Sequence, residues 1–202
     1  MRTLLIEATP ADRDSLAADL YAAGHDVVRC HPVDGPAFPC AGLRHEGCPL
    51  DGAPVDVAIA VRDEAATPPT ADEAGITCAA RIGLPIVVVA PDGPNPFAPW
   101  AEPCSDPADV VDACGRAVDA LARRRAEPLA VEARRVIALE GEHPGAVHVV
   151  VRRDGDTAHV RVLTDRPLSA SVLGTVATRL HAVDGRGSWP TTKLAVSFGH
   201  VG

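Results

Sequence analysis

The run Ile86-Val87-Val88-Val89 constrains the fold most, because four consecutive β-branched residues leave no polar face for solvent. Strands of this kind are buried on both sides, as in parallel sheets that carry helices on both faces. Apolar runs and helical patterns alternate along the first part of the chain, with apolar runs at 3–7, 26–30, 55–61 and 85–90 and helical patterns at 12–23, 70–82 and 107–125. This alternation predicts an α/β layered domain over residues 1–125.

A second domain is predicted over residues 126–202. The run Arg123-Arg124-Arg125, followed by Pro128, is expected to end a helix and mark the junction. The patterns that follow are a helix at 129–139, strands at 146–153 and 157–163, a helix at 169–182 and a strand at 192–198. Asp154-Gly155-Asp156 is a hairpin signal between the first two strands. The prediction is a small α+β domain with the order α-β-β-α-β.

Charge and composition narrow the function classes. The formal net charge is −8, with 10 Lys and Arg against 19 Asp and Glu in residues 1–125 and 9 against 8 in residues 126–202. This balance and an aromatic content of 3% argue against a nucleic-acid surface. The sequence has no apolar run suited to a bilayer and no signal-peptide pattern, so we expect a cytoplasmic protein without a membrane partner.

Four stretches together carry a family resemblance: LLIEATPADRDSLAADLYAAGHDVV, PVDVAIAVRD, LPIVVVAP and SDPADVVDACGRAVDAL. Their order and spacing over residues 1–125 resemble a response-regulator receiver domain. The resemblance implies a flavodoxin-like, doubly wound parallel sheet of order 2-1-3-4-5, with the functional pocket at the carboxyl ends of the strands. It also implies a role in signalling, and hence a protein partner.

The residues that receivers use for phosphorylation are largely missing. The family has an acid pair that holds Mg²⁺, an acceptor Asp, a Thr or Ser and a Lys, and the matching positions here are Glu7 and Ala8, Val61, Ala90 and Pro103. The sole Lys of the chain, Lys193, lies in the other domain. We therefore predict a pseudo-receiver without Mg²⁺-dependent aspartyl phosphorylation. Glu7 and Asp63 stay as candidate cofactor-binding residues at the strand ends.

A cysteine-containing loop at 30–54 replaces a helix of the receiver pattern. Its sequence HPVDGPAFPCAGLRHEGCPLDGAP is too rich in Pro and Gly for a helix. It brings together Cys30, Cys40 and Cys48, and the receiver topology would place Cys78 on the same face of the sheet. We predict a metal site formed by these four thiols, or by three of them with His45. Thiolate ligands select zinc or an iron–sulfur cluster.

Other interpretations of the cysteines remain open. They could be inert buried thiols, a Cys40–Cys48 disulfide or a reactive dithiol. Cys104 and Cys114 are expected to lie apart from the loop. The function that we predict is regulatory and independent of phosphorylation, with redox or metal sensing through the cysteines. A zinc-stabilised adaptor is one alternative, and a small enzyme at the strand-end cleft, which we favour less, is another.

The final predicted strand suggests self-association. Residues 192–198 carry only Lys193 as a charge, and natural edge strands are normally protected by charge, Pro or cover. We therefore expect this strand to be central in its sheet or paired with another chain, which would make the second domain a homodimer interface.

Overall fold

The computed structural model describes residues 1–7, 13–32, 38–44, 47–62, 68–89, 95–184 and 193–201. The chain forms two compact units, Met1–Asp119 and Ala120–Gly202. The boundary predicted at residues 125 and 126 therefore lies six residues beyond the division seen in the structure.

The first unit contains a five-stranded sheet. Its elements in chain order are β1 (Arg2–Glu7), α1 (Arg13–Ala22), β2 (Asp26–Arg29), β3 (Val57–Val61), α2 (Ala74–Arg81), β4 (Ile86–Val89), β5 (Glu102–Cys104) and the start of α3 (Val110–Leu139). All strand pairs are parallel, in the order β2-β1-β3-β4-β5. The predicted flavodoxin-like α/β fold is confirmed.

Burial on both faces of this sheet explains the unbroken apolar runs. In β1, Leu5 belongs to a core layer that includes residues of α1 and α3, whereas Leu4 and Ile6 belong to the layer that includes α2. β4 is the clearest case, since Val87, Val88 and Val89 are each no more than 1% exposed. Complete burial of one such side chain stabilises a fold by about 1.5–3 kcal/mol, so both faces contribute to the core.

The second unit has the predicted α-β-β-α-β order. The end of α3 is followed by β6 (Val147–Asp154), β7 (Thr157–Thr164), α4 (Ala170–Asp184) and β8 (Lys193–His200). β6 and β7 form the antiparallel hairpin, and β8 lies parallel to β7 at the edge of a sheet of order β6-β7-β8. Apolar residues of α3 and α4 share one core with this sheet. Of the two placements expected for the final strand, the central one is wrong, because β8 lies at an edge of the sheet in the described residues.

The predicted helix break at Arg123–Pro128 is also wrong. α3 runs without interruption from Val110 to Leu139 and includes Pro128 in its interior. Pro128 is exposed, while Leu129, Ala133 and Ile137 follow it at helical spacing and are at most 3% exposed. The packing of that stripe outweighs the cost of the missing hydrogen bond. No helix in the described ranges is long and apolar enough to span a membrane.

Replacement of Pro128 with Ala should stabilise the chain, because Ala restores a backbone N–H donor and removes the ring from an exposed helix position. We expect the free energy of unfolding to rise by about 1–3 kcal/mol in urea denaturation. Arg124→Ala, at another exposed position of α3, is the control and should change it by less than about 0.5 kcal/mol. A Pro128→Ala variant no more stable than the parent would contradict this account.

Candidate functional site

Four free thiols line one cavity in the first unit. Cys30 directly follows β2, Cys40 and Cys48 lie in turns between β2 and β3, and Cys78 is in α2. The cavity has a volume of about 50 Å³, and all four side chains contribute to its wall. The structure thus brings together the four cysteines that were predicted as ligands. We call this cavity the thiol pocket.

The rest of the wall is mainly small or apolar. The other residues that line the thiol pocket are Leu4, His31, Gly42, Pro49, Leu50, Ala71, Asp72, Ala74 and Gly75. His31 and Asp72 are the polar side chains among them, and His31 is only 8% exposed. The thiol pocket is not closed to solvent, however, since Ala71, Ala74 and Cys78 are exposed.

Two glycines allow the sulfurs to approach. A Cβ on Gly75 would lie 2.7 Å from Cys30 Sγ and 3.1 Å from the Ile6 side chain, so the Cys30 thiol rests directly on the backbone of α2. A Cβ on Gly42 would lie 3.2 Å from Cys48 Cβ and 3.9 Å from Cys40 Sγ. Sequence reasoning missed both residues. Gly75 could have been noticed, because a glycine inside a helix costs about 1 kcal/mol relative to alanine.

Burial and mutual repulsion oppose ionisation of these thiols. Burial, followed by the interactions with Cys48, Cys78 and Cys40, raises the pKa of Cys30 to about 11. Burial is also the main cause that raises the pKa of Cys78, with smaller contributions from Cys48 and Cys40 and an opposing one from Arg81. The Cys30 and Cys78 thiols are therefore neutral at physiological pH, which disfavours a nucleophilic role for them.

The described side chains of the thiol pocket form no ready-made ligand set for a single ion. Within the described residues, no group of three or more His, Cys, Asp and Glu side chains is arranged to hold a metal ion. His45, the alternative ligand, lies outside the described residues. A tetrahedral zinc site, with four sulfurs about 2.3 Å from one ion, is thus not preformed by the four thiols.

Three of the five positions that match the phosphorylation residues of receivers lie in the described residues. Glu7, at the end of β1, is 4% exposed, and its carboxylate lies 3.3 Å from Arg29 Nε. Val61 ends β3 and Pro103 lies within β5, where the family pattern has the acceptor and the lysine. Asp63, with Ala8 and Ala90, lies outside the described residues. The structure therefore pairs the candidate Glu7 with a cation from the neighbouring strand.

A buried ion pair that sequence reasoning missed lies next to β3. Arg62 Nε is 2.7 Å from Glu73 Oε1, and both side chains are 1% exposed. The Arg62 guanidinium also donates to the Pro68 carbonyl and lies 5.5 Å from the centroid of the Phe97 ring. Glu73 accepts the Thr70 backbone N–H at 2.7 Å, as part of a capping box just before α2. The Thr-x-x-Glu spacing was the available signal for that box.

No protein-family model matches the chain, and no curated protein is significantly similar to it. Its function is therefore inferred from the geometry of the site.

Removal of one partner of the Arg62–Glu73 pair should strongly destabilise the first unit, because the remaining charge would stay buried without the opposite charge that now lies 2.7 Å away. Glu73→Met is expected to lower the free energy of unfolding by about 3–5 kcal/mol in urea denaturation. The double variant Arg62→Met, Glu73→Met should regain at least about 2 kcal/mol of this loss. Asp156→Asn, which removes the exposed pair with Lys193, is the control and should have little effect. A double variant less stable than Glu73→Met would refute the interpretation.

Cys30 should react slowly with iodoacetamide in the metal-free folded chain, since the thiolate is the reacting form. A shift of its pKa from 9.0 to about 11 predicts a rate about hundredfold below that of an ordinary thiol at neutral pH. The rate should rise about tenfold per pH unit until about pH 11. Peptide mass spectrometry measures the rate at each cysteine, with the urea-unfolded chain as control. A plateau near pH 9 in the folded chain would contradict the assignment.

Proposed function

We propose that the thiol pocket binds an iron–sulfur cluster through Cys30, Cys40, Cys48 and Cys78. We further propose that the first unit is a regulatory module whose state depends on that cluster and not on phosphorylation. The observation that carries the proposal is the convergence of four thiols, three from the loop after β2 and one from α2, on one cavity with a largely apolar wall.

The chemistry of the donor set supports a cluster. Iron–sulfur clusters are held by four Cys thiolates. The net positive charge of the cluster core would favour the thiolate forms, whereas without it the neighbouring cysteines raise the pKa of Cys30. Binding must therefore release protons from the cysteines, and affinity should increase with pH. The reduction potential of the cluster would depend on the largely apolar wall and on the access of water at Cys78, which is exposed.

An all-cysteine donor set suits an iron–sulfur cluster and also a structural zinc ion. A structural zinc site with an adaptor function remains the alternative, and metal analysis distinguishes the two.

Two features support the regulatory part of the proposal: the resemblance to receivers, and the residues that stand at the positions used for phosphorylation in that family. Val61 and Pro103 cannot accept a phosphoryl group or neutralise one, and Glu7 is already paired with Arg29. Cys40 and Cys48 each begin a turn, in which their carbonyl oxygens accept the Arg44 and Asp51 backbone N–H groups, so gain or loss of a cluster at the two thiols would change the conformation of these turns. We expect a protein partner to respond to that change.

Anaerobic reconstitution with iron and sulfide tests the proposal. The full chain should take up iron and acid-labile sulfide in equal amounts and acquire the broad visible absorption of sulfide-to-iron charge transfer. Cys40→Ser and Cys48→Ser, in the turns, should each lose most of both signals. Cys114→Ala is the matched control, since this thiol is buried in the core layer on the other face of the sheet, and it should retain both signals.

The other outcomes have distinct meanings. Equimolar zinc in place of iron, lost in the same variants, would support the adaptor alternative and refute the cluster. Equal iron uptake by the Cys40→Ser, Cys48→Ser and control variants would refute the site. The same preparations, treated with acetyl phosphate and Mg²⁺, should show no added mass, and a stoichiometric phosphoryl adduct in the first unit would refute regulation without phosphorylation.

A further inference from the structure

We propose that β8 is a dimerisation strand, at which a second copy of this chain pairs in antiparallel orientation and extends the three-stranded sheet to six strands. The inference concerns the second unit alone and does not depend on the thiol pocket.

The outer edge of β8 presents backbone groups for pairing. Lys193 N–H donates to Asp156 O and Val201 N–H donates to Thr164 O, so the odd-numbered residues direct their backbone groups toward β7. The backbone groups of alternate residues point to opposite sides of a strand, so Val196 and Phe198 direct theirs outward. In the described part of the chain no strand lies beyond β8. The Leu194 carbonyl on this edge is taken by His181 Nε2, so the backbone groups of Val196 and Phe198, farther along β8, are the ones open to another strand.

β8 lacks the features that protect the opposite edge. β6 carries Arg152, Arg153 and Asp154, whereas the one formal charge of β8 is Lys193, which is paired with Asp156 at 3.1 Å. β8 also contains no Pro, and its register with β7 continues without a bulge over all eight residues. Charge, Pro and bulges are the usual means by which proteins prevent edge pairing, so the contrast marks β8 as the edge that accepts a partner.

The apolar side chains of β8 are incompletely covered. Leu194, Val196 and Phe198 pack against the core of the second unit but are only partly buried. Their neighbours across the ladder on β7, Val160 and Val162, are 0% exposed. A strand paired at the outer edge of β8 would continue the sheet and cover these three side chains.

The adjacent side of α4 can accommodate a partner helix. His181 Nε2 lies 3.1 Å from the Leu194 carbonyl oxygen, which places the His181 stripe of α4 above the outer edge of β8. Helical spacing puts Ala170, Gly174 and Ala177 on the same stripe, and a Cβ added to Gly174 would meet nothing within 4 Å. Small side chains let two helices approach closely, so a second α4 can pack against this stripe.

A second copy is the occupant that satisfies both features at once. A two-fold axis beside β8 places strand against strand and small stripe against small stripe, so that the same surface serves both chains. Antiparallel pairing also keeps the two Lys193 side chains at opposite ends of the joined strands, which avoids repulsion between like charges. An unrelated extended peptide would complete the strand but not the helix contact.

Analytical ultracentrifugation of the full chain tests the dimer. At micromolar or higher concentration, the sedimenting species of the parent chain should have twice the monomer mass of 20.9 kDa. Val196→Lys places an inward-pointing charge on the pairing edge and should weaken association at least about tenfold. Val149→Lys is the matched control on β6, since Val149 is likewise half-buried against the core of the second unit, and it should leave the dimer unchanged. A monomeric parent chain, or equal weakening by both variants, would overturn the proposal.

Hydrogen exchange on the unmodified chain tests the edge directly and does not require a folded variant. The amides of Val196 and Phe198 should exchange at least about tenfold more slowly as concentration rises through the dimerisation range. The Ser197 amide, which points toward β7, should depend far less on concentration. Rapid exchange at Val196 and Phe198 in a sample that sediments as a dimer would place the interface elsewhere and overturn the proposal.

Discussion

The buried Arg62–Glu73 ion pair connects the residue after β3 to the residue before α2. Glu73 is also the last residue of a 3-10 helix, Ala71–Glu73, that leads directly into α2. Two residues beyond Glu73, Gly75 meets the Cys30 sulfur, and Cys78 lies one helical turn farther on. An isolated pair at the surface contributes little, but a pair that is 1% exposed strongly favours one arrangement, because separation leaves two buried charges. The contact thus holds the start of α2, while Ile76 and Ala79 pack the rest of the helix in the same core layer as β1, β3 and β4.

The parts of the fold that sequence predicted well are those in which local pattern and burial agree. Ile86–Val89 has no polar face and lies where both faces are covered, and Asp154-Gly155-Asp156 interrupts two alternating runs that form the hairpin. Pro128 misled because local sequence does not reveal the buried stripe that continues α3 past it. Packing of this stripe against the sheet and α4 of the second unit keeps α3 helical beyond Pro128.

The candidate site was predictable only in part, for a related reason. The residue types and the expected face of the sheet were enough to group Cys30, Cys40, Cys48 and Cys78. The glycines that admit the sulfurs and the Arg62–Glu73 contact depend on tertiary approach, which spacing along the chain does not encode. The site lies beside α2 at the carboxyl end of β2, whereas the family resemblance directed attention to Glu7 at the end of β1.

The parallel contact between β7 and β8 has a consequence for the order in which the second unit folds. The β6–β7 hairpin needs only neighbouring residues, whereas Thr157 meets Lys193 only after α4 has formed between them. Local hairpins close much faster than parallel pairs with an intervening helix. Between formation of the hairpin and pairing with β8, β7 is an uncovered edge. It carries Ala158, Val160 and Val162, the side chains most deeply buried in the finished sheet. Nascent chains at high local concentration are therefore most vulnerable to aggregation at β7, and α4 has to form quickly enough to bring β8 into place.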